Sequence, residues 1–312
     1  FSGLYGLTGA IYPLIYRYNE LKKYNKSAAI TAINNLELSN SLASQINYKE
    51  LERASDDFLC GTCSNIILFT LLNSLTPKEL FYKTAESEYN RLLKTISSTK
   101  KGRKFFDLKK NNDPMAGLAH GQSGAAVAIS EYSKEFNLNA STHSNIDIAL
   151  DFERDLINHE NNSWPNFREI KRSYNLMGWC NGPAGIGLAR LLLLKNHGYD
   201  KNTYNDVRHA INCVLNTENK LDSFCCGNAS ILLFLIKASR IKTLNDEFKL
   251  QERVENTANN LILKLVTNGE LELNIGKSSF ASSGLLGGIT GVIHSLLNII
   301  DDNNQIDPFL LG

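Results

Sequence analysis

One short pattern recurs along the chain and limits its fold more than any other feature. The segments SGLYGLTGA (2–10), DFLCGTCSN (57–65), GLAHGQSGA (117–125), GWCNGPAGI (178–186), SFCCGNASI (223–231) and GLLGGITGV (284–292) share one form. Each has a small or turn-forming residue, three positions, a glycine, two positions and then a small residue that opens an apolar run. The shared glycines are Gly6, Gly61, Gly121, Gly182, Gly227 and Gly288, separated by 55, 60, 61, 45 and 61 residues. Self-similarity of this kind marks a repeat architecture, in which one supersecondary unit cannot bury its apolar face alone and stacks on its neighbours. Six units account for the chain.

The run after each glycine is apolar nearly all round, as in NIILFTLLNSL, GIGLARLLLLK, SILLFLIKAS and GVIHSLLNII. A helix of that character is buried on most faces. Between these runs lie charged stretches with apolar residues at helical spacing on one side, namely 78–97, 205–216 and 248–266. They predict an outer layer of amphipathic helices. Strand signals are scarce, and only GELELNIG (269–276) reads as a short hairpin arm. The expected fold is all-α, an α/α toroid of six inner helices ringed by six outer ones, forming a single domain over residues 1–312. A linear helical solenoid is the alternative, and six glycine turns leading into six inner helices favour closure. In a closed ring the glycine turns gather at one mouth, where helix N-termini carry positive partial charge.

The two residues before each shared glycine are Leu4-Tyr5, Leu59-Cys60, Ala119-His120, Cys180-Asn181, Cys225-Cys226 and Leu286-Gly287. Cys180 and Cys225 are equivalent by repeat position, and Cys226 is next door. Adjacent cysteines bridge each other poorly, because a disulfide demands a Cα separation and side-chain aim that neighbours rarely supply. Three thiolates at one mouth would suit a tetrahedral soft cation with one open position, and zinc fits best. The competing reading is three packed core thiols. His120 occupies the same slot one repeat earlier; it reads as a fourth metal ligand, a general acid or base, or a loop histidine, and three available sulfurs favour acid/base work. Asp57 is the carboxylate of the second turn, either functional or a helix cap, with Asp56 beside it. Cys60 and Cys63 are spaced C-x-x-C, but Cys63 falls where other repeats carry a small residue, so both read as packing residues, as does Cys213. The remaining histidines carry no assigned chemistry. Trp164 reads as packing and Arg168 as a possible anion or peptide-carboxylate ligand.

Composition excludes several classes of function. With 33 basic and 32 acidic residues the net charge is +1, so no field favours nucleic acid. No apolar run is long enough for a membrane span. Six cysteines in 312 residues are too few for a secreted disulfide scaffold. The expectation is a soluble cytoplasmic protein, and the Phe1 start fits a domain cut from something longer.

The segments GLAHGQSG, GWCNGPAGIGLAR and SFCCGNA, in this order on a six-fold glycine repeat, resemble the lanthionine synthetase C-like cyclases. The likeness spans essentially the whole chain, and SWPNFREI (163–170) makes it most similar to the C-terminal cyclase domain of a class II bifunctional lanthipeptide synthetase. The resemblance implies a barrel holding one zinc, with Cys180, Cys225 and Cys226 as ligands and His120 and Asp57 in the active site. It implies addition of precursor-peptide cysteine thiolates to dehydroalanine or dehydrobutyrine, giving thioether rings. Its partners would be a dehydrated precursor peptide and a dehydratase domain N-terminal to it in the full-length protein. Departures from the family pattern are Asn181 where His or Tyr is usual, Leu176 where some members carry arginine, the order Pro183-Ala184, Ser64 in the second turn and Ala229-Ser230 in the fifth. A non-catalytic zinc- or thiol-binding module of the same fold is the alternative, and a carbohydrate-cleaving or prenyl-transferring toroid is a third reading.

Overall fold

The computed structural model describes residues 7–21, 26–46, 55–59, 61–99, 102–105, 115–138, 140–157, 163–165, 177–268, 271–273 and 283–300. Gly6, Cys60, Arg168 and Leu176 lie outside them. Helices dominate. Those that follow the glycine turns are α1 (Leu7–Leu21), α3 (Thr62–Leu75), α5 (Gln122–Glu135), α7 (Pro183–His197), α9 (Asn228–Ser239) and α12 (Ile289–Leu297). Alternating with them are α2 (Lys26–Ser44), α4 (Glu79–Lys94), α6 (Ala140–Asp155), α8 (Lys201–Leu215), the short α10 (Lys242–Phe248) and α11 (Leu250–Leu263).

The two helix classes differ as their sequences dictate. Helix α9 buries Ala229 through Ile236 without a break, so no face is left to water. Helix α8 buries Thr203, Asp206, Val207, Ala210, Ile211, Cys213 and Val214, one stripe at helical spacing, and exposes Lys201, Asn202, Asn205 and Asn212 on the opposite side. Asp200 caps α8, its Oδ2 accepting the Thr203 N–H at 2.7 Å. That bond holds the Asp200 carboxyl below its ordinary value.

The amphipathic stretch 248–266 takes in the last residue of α10, all of α11 and the start of a π-helical turn, Lys264–Asn268. Lys249 adopts φ +50°, a left-handed conformation that ends α10 and starts α11 anew. Of the expected hairpin arm at 269–276, residues 271–273 are described; they form no strand, and the rest lies outside the described residues. A hairpin occurs instead at β1 (Ser97–Thr99) and β2 (Gly102–Lys104), antiparallel partners.

The chain divides into two compact units, with α5 and α6 running from one into the other at Ser123/Gly124 and Phe152/Glu153. In the first, α1 packs on α2 and α3 on α4. The buried Tyr12 hydroxyl donates to the Ser64 carbonyl at 2.6 Å, and Tyr89 and Tyr132 stack with ring centroids 4.3 Å apart. Asn65, inside the apolar α3, donates to Glu88 of α4 at 3.0 Å. In the second unit α7 packs on α8 and α9, and α9 on α11 and α12. The second unit also contains the turn before α5 and the three turns that lead into α7, α9 and α12.

Candidate functional site

Repeat symmetry in the second unit is written in backbone hydrogen bonds. The Ala119 N–H donates to the Cys180 carbonyl at 2.9 Å, the Cys180 N–H to Cys225 at 3.0 Å and the Cys225 N–H to Leu286 at 2.8 Å. All four residues stand two places before their shared glycine. Each turn therefore passes one bond to the next at the same position, which places Cys180 beside Cys225.

A second set of equivalent positions lets these turns approach. Gly117 and Gly178 both lie four residues before the shared glycine. A Cβ on Gly117 would stand 2.5 Å from the Asn181 Cα and 2.7 Å from the Cys180 carbonyl oxygen, and Gly117 has φ +113°. A Cβ on Gly178 would stand 2.4 Å from the Cys226 Cα. Backbone is what they meet, so no side chain can step aside. Gly117→Ala and Gly178→Ala are each expected to lower unfolding free energy by about 3 kcal/mol, from overpacking and, for Gly117, added backbone strain. Urea midpoints measured on both variants check this.

The turns bring three sulfurs together. Cys180 and Cys225 are in disulfide contact with Cα atoms 5.6 Å apart, and the Cys226 Sγ lies 3.4 Å from the Cys225 Sγ. All three sulfurs fall within 4.8 Å of one another; Cys180 is buried and the other two half-buried. Tetrahedral zinc with Zn–S bonds of about 2.3 Å sets its sulfurs about 3.8 Å apart. The cluster is of that size, and its donor set is the one a soft divalent cation prefers. Next to Cys180, the buried Asn181 has an Oδ1 with no hydrogen-bond partner, an acceptor left over beside the cluster.

His120 is half-buried and follows Ala119, so its turn is bonded directly to the Cys180 turn. The other candidate, Asp57, belongs to the first unit, where it too is half-buried. Its neighbour Asp56 is committed elsewhere: Arg91 Nη2 donates to it at 3.1 Å and the Thr62 hydroxyl at 3.3 Å. Cys63 is wholly buried, its thiol donating to the Asp56 carbonyl at 3.1 Å; burial, reinforced by the charges of Asp57 and Asp56, pushes it well up. Burial pushes the Cys213 thiol to about 11. Neither is a nucleophile at neutral pH. Trp164 packs edge-on against His209 and donates from Nε1 to the Glu153 carbonyl at 3.0 Å.

The sequence pattern does not single out a buried ionic network of this unit. Arg190 and Glu153 are 0% exposed. Arg190 donates from Nη2 to Glu153 at 2.8 Å, from Nη1 to the Ser123 hydroxyl at 3.0 Å and from Nε to Asp206 at 2.9 Å. The signal was one cation inside the apolar run of α7, since a buried guanidinium requires buried counter-charge. In the fifth turn Asp222 is fully buried and is held by Lys264 Nζ at 2.8 Å and by the Glu272 N–H at 3.0 Å.

Comparison with known proteins places this geometry. Residues 1–311 match the family described as "Lanthionine synthetase C-like protein". The chain belongs to that family. Among individual proteins, the lacticin 481/lactococcin biosynthesis protein LcnDR2 of Lactococcus lactis subsp. lactis is 26% identical over 317 residues. That match takes in 94% of this chain and 30% of LcnDR2, so the chain spans about a third of the relative's length. The structure of nisin cyclase superposes with a TM-score of 0.68 at 16% identity, covering 99% of this chain and 80% of that one. This likeness shows the fold, the all-α α/α toroid expected from the repeat. An α-1,6-mannanase of Salegentibacter superposes with a TM-score of 0.55 at 13% identity, covering 100% of this chain and 90% of the mannanase, so the architecture serves unrelated chemistries. No helix among the described residues is long and apolar enough to cross a membrane.

Proposed function

We propose that this chain is a zinc-dependent peptide cyclase, forming thioether rings by adding cysteine thiols of a dehydrated precursor peptide to its dehydroalanine or dehydrobutyrine residues. The observation that carries the reading is the three-sulfur cluster of Cys180, Cys225 and Cys226 on two adjoining turns. Membership of the lanthionine synthetase C-like family and likeness to a protein named nisin cyclase support it.

Cys180, Cys225 and Cys226 would hold the zinc, which when bound lowers the pKa of a coordinating thiol so that the peptide cysteine is a thiolate at neutral pH. In the ring-forming step the sulfur bonds to the β-carbon and the alkene π pair moves onto the α-carbon and its carbonyl as an enolate. A proton then goes to Cα, so the thiol's hydrogen ends there in net terms and nothing is oxidised. His120 is the acid of that last step, placed beside the Cys180 turn by the Ala119 bond. Asp57 keeps only the active-site role that the family resemblance implies. The unpartnered Asn181 Oδ1 is suited to accept a peptide N–H of the substrate. Dehydration of the peptide's Ser and Thr is a separate reaction, assigned to a dehydratase domain of a longer protein or to another protein; the length of LcnDR2 beyond the matched part is consistent with the first.

Ring closure is an isomerisation and leaves the peptide mass unchanged, so thiol count is the readout. Reduced, zinc-loaded protein is incubated with a dehydrated cysteine-containing peptide, and remaining thiols are alkylated before mass measurement. Disappearance of the alkylatable thiol is expected. Persistence of every thiol, with peptide still retained by the protein, would replace this reading with a binding module.

A further inference from the structure

We propose that Glu153 is a positioning residue for the cyclisation: its buried carboxylate fixes the turn that carries His120. The proposal rests on the reading above, in which His120 delivers the proton to Cα.

Gly117 and Ser123 bracket His120, three residues away on either side. Glu153 Oε1 accepts both of their backbone N–H groups, at 2.8 Å from Gly117 and 3.0 Å from Ser123. Its Oε2 accepts the Ser123 hydroxyl at 2.6 Å and Arg190 Nη2 at 2.8 Å. Four donors saturate the acceptor capacity of one carboxylate. Bonds to an ionised acceptor are shorter and stronger than neutral ones, so both ends of the turn are held by one anion.

That anion is itself immobilised. Arg190 is anchored to Asp206, which Arg154 Nε also contacts at 3.1 Å, and the Glu153 backbone is pinned by the Trp164 indole. On its other side the turn is registered to the Cys180 turn by the Ala119 bond and by the close approach of Gly117 to Asn181. Glu153 on one side and Cys180 on the other therefore set where the His120 backbone stands. Proton transfer demands hydrogen-bond reach, and a misplacement of about 1 Å can cost about 100-fold in rate. A clamp serving stability alone would give no reason to expect selective loss of the protonation step.

The test compares Glu153→Gln, Ser123→Ala and His120→Ala with the wild type as full-length, reduced, zinc-loaded chains acting on one dehydrated peptide. Circular dichroism and elemental zinc first establish folding and metal content. Glu153→Gln keeps the shape and an acceptor oxygen but loses the charge that holds the donors. It is expected to keep KM within about twofold, to lose about 10- to 100-fold in kcat and to yield mixed configuration at the protonated Cα. Ser123→Ala is expected to lose about threefold or more with the same mixing, and it decides the matter alone if Glu153→Gln does not fold. Folded Glu153 and Ser123 variants with wild-type kcat and a single product configuration, beside a slow His120→Ala, would overturn the clamp and leave the function intact. A His120→Ala protein of wild-type rate would overturn the role of His120 and the clamp with it.

Discussion

Cys180→Ala protein is expected to bind no zinc after purification under reducing conditions and to cyclise a dehydrated peptide about 10³-fold more slowly than the wild type. The magnitude follows from two losses. A peptide thiol with a pKa near 8.5 is about 3% ionised at pH 7, so without a metal the nucleophile falls about 30-fold in abundance. Losing the point that holds the sulfur beside its target contributes the remaining factor of about 30 or more, well inside the range known for orientation. Folding should survive in the reduced protein, because the Cys180 N–H and carbonyl keep their backbone bonds to the neighbouring turns. Thermal unfolding, elemental zinc and alkylatable peptide thiol are measured on the same preparation. A metal-free variant that still closes rings at the wild-type rate would show that the three sulfurs are packing residues.

The part of this site that could be read from sequence is the part governed by repeat register. Cys180 and Cys225 align because each stands two places before its glycine, and the backbone bonds that join their turns occur at that same position. Inner and outer helices were equally legible, since burial on all faces and burial on one face leave different residue patterns, as α9 and α8 show.

What escaped depends on contacts far apart in the chain or on single backbone angles. Arg190 announces buried counter-charge, but its partners Ser123, Glu153 and Asp206 are 67, 37 and 16 residues away and none carries a local mark. The break at Lys249 is a positive φ at a residue whose type does not call for one. The polar strands Ser97–Thr99 and Gly102–Lys104 have no alternating apolar pattern. The ion pair of Asp56 with Arg91 joins residues 35 apart in the chain. Each missed feature except the left-handed turn is electrostatic or polar, and polar partners are specified by tertiary geometry rather than by periodicity.

His120→Ala should separate acid catalysis from metal binding. Its zinc content and its affinity for the dehydrated peptide are expected to match the wild type, because the sulfurs that would hold the metal belong to other turns. Its kcat is expected to fall by about 10²–10⁴-fold, the range for loss of a positioned general acid. The chemistry explains why the damage should be confined to kcat. Addition of a thiolate to a dehydroamino acid is reversible until Cα is protonated, so an enolate left waiting for water returns to starting alkene and thiol. Protonation by water also comes from either face, so the residual product should contain both configurations at Cα where the wild type gives one. Chiral analysis of the hydrolysed rings reads that directly. A variant with normal zinc, normal rate and a single configuration would assign the proton to another group and reduce His120 to a loop residue.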